Sequence, residues 1–328
     1  MGVATIEKKV LLAGLEAGGY GVDPVLTAAD AIYPDEADVS LAIAVVDVPI
    51  SDTFDDPVSG PEIGNKMPDL TMSLPLVCGG AGAVCDQVDL LLQASGYVRT
   101  GAGPYVYSWD PPNASSARLE LEKNGLRYQL SGARCAWSLP AVPGERAIFD
   151  AQAMGLWIVP DGQDMTAATA TRYPAIICES LALDPYSDGV GVGSGLYISS
   201  ATISDRGQLY RLMDTNSAEG VGEVAILGKG SGKDRGTTVE IEYTRPTGPD
   251  SDEWWARFLD KTLTGVFSAT FTGPNGGTWV FAFKRAQIVA HEDAVVGDVH
   301  AGKATLKALR SVAGAANDAL IITYTAPV

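Results

Sequence analysis

Two pairs of glutamates are the clearest candidates for acid–base chemistry in the sequence. Glu120 and Glu122 are two residues apart in one strand-like run, and Glu240 and Glu242 repeat that spacing in a later one. Alternate residues of a β-strand share a face, so each pair would place two carboxylates side by side. Paired carboxylates catalyse glycoside hydrolysis, but 40 acidic residues make such pairs common by chance. The pairs indicate either two solvated faces or a repeated negative stripe, and an acid-pair hydrolase is the least favoured function.

Other catalytic and cofactor-binding motifs are incomplete. A glycine-rich loop has Leu227 and Asp234 where a phosphate-binding loop needs Gly and Ser or Thr. Gly189–Gly195 lacks the third glycine of a dinucleotide fingerprint and a βαβ context. The only two histidines, His291 and His300, have no nucleophile motif beside them. We therefore expect no catalytic or cofactor-binding residue and no enzymatic activity.

Cysteine spacing and net charge exclude further classes of protein. The four cysteines, at positions 78, 85, 135 and 178, form no Cys-x-x-Cys pair, so we expect no zinc site and four free, partly buried thiols. The net charge of −17 disfavours a general nucleic-acid-binding surface. No apolar run is long enough to span a membrane and no secretory signal is visible, which predicts a protein made in the cytoplasm.

The elements that would position these residues are mainly β-strands. Alternating or β-branched runs predict the strands Val39–Val48, Leu70–Val77, Tyr105–Trp109, Arg118–Glu122, Gly125–Leu139, Tyr173–Leu183, Leu196–Ser204, Thr237–Thr244, Val266–Phe271, Gly277–His291 and Leu320–Thr325. The proline within Leu70–Val77 suggests an edge strand. Helical patterns fall at Val3–Leu15, Asp86–Gly96 and Asp252–Gly265. Long loops are predicted at Ile50–Asp69 and Asp205–Arg235.

The order of these elements occurs twice. In each half a helix that ends at glycine precedes a strand, a strand pair and a Gly-containing turn; the matching glycines are Gly96 and Gly265, then Gly125 and Gly277. This indicates a duplication, with a first unit at residues 1–165 and a second at 166–328. Chance similarity between two β-rich halves is the alternative, because element order is shared more clearly than sequence.

Three segments resemble the major tail proteins, or tail tube proteins, of long-tailed bacteriophages. The first is the opening, Lys9–Ile32, in which Glu16 precedes Tyr20-Gly-Val-Asp-Pro24. The second is Ser131-Gly-Ala-Arg-Cys-Ala-Trp-Ser-Leu139, where Cys135 departs from the family's usual glycine. The third is Ala316–Tyr324, similar to the closing Asn-Asp-x-Leu strand. The matches lie at the start, middle and end of the chain.

The resemblance implies a structural protein of a long, non-contractile phage tail. Its fold class would be two tandem β-sandwich units, each with a flanking α-helix, whose inner sheets join between subunits into a lumen-lining β-barrel. Stacked rings would form the conduit for double-stranded DNA ejection without specific DNA binding. Two units per chain favour a homotrimeric, pseudo-hexameric ring, with a hexamer as the alternative. Its partners would be a tape-measure protein, a tail terminator and distal tail proteins, with no membrane.

The resemblance also assigns roles to charged residues. A negative lumen lets DNA slide, since phosphates would be held by a basic one. The candidate lumen-facing acids are Glu120, Glu122, Glu240 and Glu242. The long loops are suited to reach the next ring, which makes their charged residues candidates for contacts between rings: Asp52, Asp55, Asp56, Glu62, Arg206, Arg211, Lys229, Lys233 and Arg235.

A β-rich binding module of the virion, either carbohydrate-binding or capsid-decorating, is the alternative function. Six Trp and twelve Tyr residues could provide stacking platforms for a ligand. However, Trp254 and Trp255 fall in a predicted helix, and Trp109, Trp137 and Trp279 fall in predicted strands. Core packing is the favoured role for all five.

Overall fold

The computed structural model describes residues 10–16, 19–22, 24–46, 62–123, 125–162, 173–183, 197–205, 207–213, 221–228, 236–244, 259–260, 264–296, 299–310 and 318–327. This part of the chain is mainly β, as predicted. Its first half contains the strands β1 (Val10–Leu15), β2 (Ala31–Ile32), β3 (Glu36–Val46), β4 (Glu62–Pro75), β5 (Tyr97–Thr100), β6 (Tyr105–Trp109), β7 (Ala117–Lys123), β8 (Leu126–Ala141) and β9 (Ile148–Asp161).

The second half continues with nine more strands and no long helix among the described residues. They are β10 (Ile177–Leu183), β11 (Tyr197–Ser204), β12 (Gly207–Met213), β13 (Val221–Gly228), β14 (Thr238–Thr244), β15 (Gly265–Thr272), β16 (Thr278–Val296), β17 (Val299–Leu309) and β18 (Ile321–Thr325). The helical residues are α1 (Asp86–Ala94), the 3-10 turns Ala28–Asp30 and Pro111–Asn113, and Leu259. No helix of the described residues is both long enough and apolar enough to cross a membrane.

Sixteen of the described strands form one antiparallel sheet. Its main path runs β2-β1-β7-β8-β11-β14-β17-β16-β18-β6-β5. A branch through β9, β4 and β3 leaves β8, and a second branch through β15 and β10 leaves β16. The long strands β8 and β16 are therefore the junctions of the sheet, which does not close on itself among the described strands.

The two halves of the sequence share one hydrophobic core. Trp137 of β8 packs edge-on against Phe149 of β9 and against Phe281 of β16, with ring centroids 5.2 and 6.0 Å apart. Strand pairing also crosses the halves, because β8 bonds to β11 and β6 bonds to β18. The division near residue 165 stays a prediction, and the core does not separate there.

Helix α1 closes one side of this core. Its residues Val88, Leu91 and Leu92 are buried, and it packs against β1, β5 and β8. Gly96 follows the helix at φ +92°, a conformation that ends helices and favours glycine, so the predicted stop is confirmed. The predicted Asp cap is displaced by one residue: Cys85 is the N-cap, and Asp86 lies in the first turn.

Several local predictions were wrong. The helix predicted over Val3–Leu15 is a strand in its described part, β1, because a short apolar run fits a buried strand as well as a helix. The predicted edge strand is internal: β4 pairs with β3 and β9, and the proline of the predicted segment, Pro75, is the last residue of the strand. The helix predicted over Asp252–Gly265 lies almost entirely outside the described residues.

Both predicted long loops contain regular structure. Within Ile50–Asp69, residues 62–69 belong to β4. Within Asp205–Arg235, β12 and β13 form an antiparallel hairpin that is separate from the large sheet. Glycine-rich composition hid this hairpin, because glycine weakens the alternation by which a strand is recognised.

Candidate functional site

The acidic pair on β7 is buried, so the expectation of a solvated face is wrong for this pair. Glu120 and Glu122 are 4% and 8% exposed. Arg118 Nε donates to Glu120 Oε1 at 2.8 Å, and Arg127 Nη1 donates to Glu120 Oε2 at 3.3 Å. Arg127 also pairs with Asp161 of β9. Arginines on the same and the neighbouring strand thus neutralise Glu120, and through Arg127 this carboxylate helps to join β7, β8 and β9.

The acidic pair on β14 is exposed and faces solvent. Glu240 and Glu242 have side chains that are 53% and 58% exposed. Lys303 of β17 places Nζ 3.4 Å from Glu240 and 3.9 Å from Glu242. Lys303 and Lys307 of β17 share this face with the two glutamates, so the exposed face of β14 and β17 carries mixed charge. Glu240 and Glu242 remain candidates for an exposed functional face.

Only two of the nine charged residues proposed for contacts between rings lie in described positions. Glu62 begins β4, opposite Val46 of β3. Arg211 lies in β12, donates from Nη2 to the Pro68 carbonyl at 2.9 Å and pairs with Asp69. These two residues belong to strands, which corrects their assignment to loops. The other seven lie outside the described residues: Asp52, Asp55, Asp56, Arg206, Lys229, Lys233 and Arg235.

A buried carboxylate links the opening segment to β8. Glu16, at the end of β1, is 3% exposed. Its Oε1 accepts from the Gly132 amide at 2.6 Å, and its Oε2 accepts from the Gly21 amide at 2.8 Å and from the Ser116 hydroxyl. A buried carboxylate with several donors is satisfied and holds its neighbours in place. Glu16 therefore joins β1, the turn at Gly21 and the centre of β8.

Tyr20 lies against the same part of β8. Gly132 has φ +59°, and a Cβ atom there would come within 2.5 Å of Tyr20 Cζ, so the contact requires glycine. The Arg134 guanidinium lies 6.0 Å from the centre of the Tyr20 ring, and its Nη1 donates to the Ala114 carbonyl at 3.0 Å. The Tyr20 hydroxyl accepts a hydrogen bond from the Val224 amide of β13 at 2.6 Å. Burial raises the pKa of Tyr20 to about 12, so the phenol is neutral at ordinary pH.

We call Glu16, Tyr20, Gly132 and Arg134 the latch cluster. Its members come from the opening segment and from the Gly-Ala-Arg segment, two of the three segments that carry the sequence resemblance. The cluster has no nucleophile activated by a base. Its role is structural, because its hydrogen bonds and one ring contact hold three chain segments together. The sequence resemblance included these residues, but it did not predict their contact, because 116 positions separate Glu16 from Gly132.

An open groove of about 820 Å³ lies on the polar face of β4, β8 and β9. Ser73, Ser138 and Asp150 are among its lining residues. Trp137 also borders the groove but is 4% exposed, so it offers no face for stacking a ligand. Trp109, Trp157 and Trp279 are buried as well, and the two other tryptophans lie outside the described residues.

The remaining chemistry is that of buried thiols. All four cysteines are buried and unbridged. Burial raises the pKa of Cys85 and of Cys135 to about 12, so both are thiols rather than thiolates. Among the described residues, no three His, Cys, Asp or Glu side chains form a group that could hold a metal ion.

No protein-family model matches the chain. A search of curated proteins also finds no match.

Proposed function

We propose that the chain is a structural virion protein that polymerises as stacked rings to form a phage tail tube, the conduit for DNA ejection. The observation that carries the proposal is the latch cluster. Two segments that resemble separate parts of tail tube proteins contact each other through Glu16, Tyr20, Gly132 and Arg134. If both resemblances were due to chance, there would be no reason to expect the two segments to contact each other.

The open sheet is consistent with assembly. Among the described residues, β3 pairs only with β4 along its eleven positions. A long unpaired edge is a site where another chain can add a strand. In the proposed ring, neighbouring sheets join at such edges into a lumen-lining barrel, with three copies of two sandwich-like units favoured and six copies as the alternative.

The exposed pair on β14 supplies the proposed lumen charge. Glu240 and Glu242 lie on a solvated sheet face, whereas the β7 pair is buried and paired in the single chain. An exposed glutamate pair weakens DNA binding where it lies, because its carboxylates repel phosphates. In this proposal the partners are a tape-measure protein, a tail terminator and distal tail proteins, and no membrane is involved.

Electron microscopy of the purified chain tests the assembly. Across protein and salt concentrations, negative-stain images are expected to show rings or tubes with a central channel. Threefold end views would support the trimer, and sixfold views the hexamer. Compact monomers under every condition would refute the proposal and favour a binding module, for which the buried tryptophans of the described residues give no support.

The lumen assignment has its own test. We would image tubes of the Glu240→Lys/Glu242→Lys variant by cryo-electron microscopy with short duplex DNA. Density along the tube axis is expected for this variant only. The control is Glu145→Lys/Asp260→Lys, which changes the net charge equally at two other exposed positions, neither of them in β3. Equal DNA binding by both variants, or none by the β14 variant, would show that Glu240 and Glu242 do not line the lumen.

A further inference from the structure

The hairpin β12–β13 is an independent unit on the surface of the large sheet. Its strands pair with each other from Gly207–Gly228 to Met213–Val221. Among the described residues, neither strand pairs with a strand of the large sheet. An isolated two-stranded hairpin is marginally stable in water, so the position of this one depends on its contacts with the rest of the chain.

The inner face of the hairpin is apolar and packs on the sheet. Val224 is 0% exposed and Ile226 is 8% exposed, and the hairpin contacts β8 and β9. The outer face carries Tyr210 and Leu212, which are 37% and 47% exposed. Leu209, the residue before Tyr210, points the other way and packs against the shared core. Strand alternation thus gives the hairpin an inner apolar face and a partly apolar outer face.

Two polar clamps hold the hairpin, one on each strand. On β13, the Val224 amide donates to the Tyr20 hydroxyl at 2.6 Å. On β12, Arg211 donates to the Pro68 carbonyl at 2.9 Å and pairs with Asp69 of β4. The clamp partners belong to the opening segment and to β4, so both clamps fasten the hairpin to other parts of the chain rather than within itself.

Asp205, which precedes β12 and which we call the root of the hairpin, is held by separate hydrogen bonds. The Asp205 amide donates to the Trp137 carbonyl at 2.9 Å, and the Tyr97 hydroxyl donates to Asp205 Oδ1 at 2.9 Å. These bonds precede Gly207, the first residue of β12. Loss of both clamps would therefore leave the root bonded to the core while β12 and β13 separate from the sheet.

We infer that the hairpin β12–β13 is a hinged strap: it opens as one unit while the large sheet stays folded, and Tyr20 and Arg211 set how often it opens. Opening exposes the inner residues Leu209, Val224 and Ile226 and uncovers the latch cluster beneath them. The strap is a conformational device of the single chain, and it does not depend on the tube proposal. In this inference the opening segment has a structural role, because its Tyr20 holds the strap closed.

Hydrogen exchange measured by mass spectrometry on the full chain tests this inference. In the wild type, amides of β12 and β13 are expected to exchange together and faster than those of β14 and β17. Tyr20→Phe keeps the ring but removes the hydroxyl that accepts from Val224. Because one neutral hydrogen bond is lost, the hairpin amides are expected to exchange about fivefold faster, with β14 and β17 unchanged.

Two further variants make the result decisive. Tyr105→Phe is the matched control, because it removes a hydroxyl that donates to the Gly82 carbonyl at 2.9 Å, away from the hairpin. It should leave hairpin exchange unchanged. Arg211→Gln should speed exchange by about tenfold or more, since its bonds involve a charged group. The inference is overturned if β12 and β13 exchange only as slowly as β14, if Tyr20→Phe leaves them unchanged, or if it accelerates all strands equally.

Discussion

Gly132→Ala is the sharpest perturbation of the latch cluster. Gly132 has φ +59°, so any other residue there meets backbone strain of about 1–2 kcal/mol. The new Cβ would also lie 2.5–2.8 Å from Tyr20 Cζ, the hydroxyl and Cε1. The ring must move, and its bond to the Val224 amide and its contact with Arg134 weaken. Those losses add about 1–3 kcal/mol.

The expected result is a fall of about 2–5 kcal/mol in the free energy of unfolding. Urea denaturation followed by tryptophan fluorescence measures it. Gly125→Ala is the matched control, because Gly125 has φ +75° but a Cβ added there would have no neighbouring atom within 4 Å. This control should lose only the strain of about 1–2 kcal/mol.

A double-mutant cycle isolates the ring contact. In a Tyr20→Ala background the ring that Gly132→Ala displaces is missing, so the glycine substitution should cost no more than Gly125→Ala. The reasoning would be refuted if Gly132→Ala and Gly125→Ala destabilise equally in the wild-type background. It would also fail if the cost of Gly132→Ala were the same with and without the tyrosine ring.

Other side chains should respond measurably to substitution, pH and thiol reagents. In urea titrations, Glu120→Ala should lower the free energy of unfolding by about 1–3 kcal/mol, because it removes a buried carboxylate that accepts from two partly buried arginines. Glu240→Ala at an exposed pair should change it by less than about 0.5 kcal/mol, and equal effects would contradict the assigned burial. Burial raises the pKa of Tyr20 from 10.0 to about 12, so its contribution to stability is complete below pH 10 and is lost as the pH rises towards 12; Tyr20→Phe should lessen that decline in urea midpoints. The four buried thiols should react with Ellman's reagent at about pH 8 only after denaturation, and rapid labelling of the folded chain would contradict burial at positions such as Cys135.

The strands with clean alternation were predictable from the sequence. In β14, residues Val239, Ile241 and Tyr243 are buried and Glu240 and Glu242 are exposed, as a period of two requires. The turn glycine Gly125 likewise marked the β7–β8 hairpin correctly. Where one face packs on the core and the other meets water, local pattern and tertiary structure agree.

The errors arose where distant residues decide the environment. Glu120 follows the same alternation as Glu240, yet it is buried because Arg127 and Arg118 neutralise it across β7 and β8. Sequence periodicity identifies the face of a strand, but it does not show what covers that face. The latch cluster was missed for the same reason. Nothing in the sequence near Glu16 or Gly132 indicates that they meet, because the order of the strands in the sheet brings them together.

The position of β18 has a consequence for synthesis on the ribosome. This last strand lies between β16 and β6, and Tyr324 stacks on Trp279 and Tyr105. Strand β6 therefore waits for a partner that is translated roughly 200 residues later, a delay of about 10–40 s at ordinary translation rates. During that interval the nascent chain keeps an open edge and an incomplete core. A nascent chain that still lacks residues 321–325 therefore cannot present the finished surface to other copies.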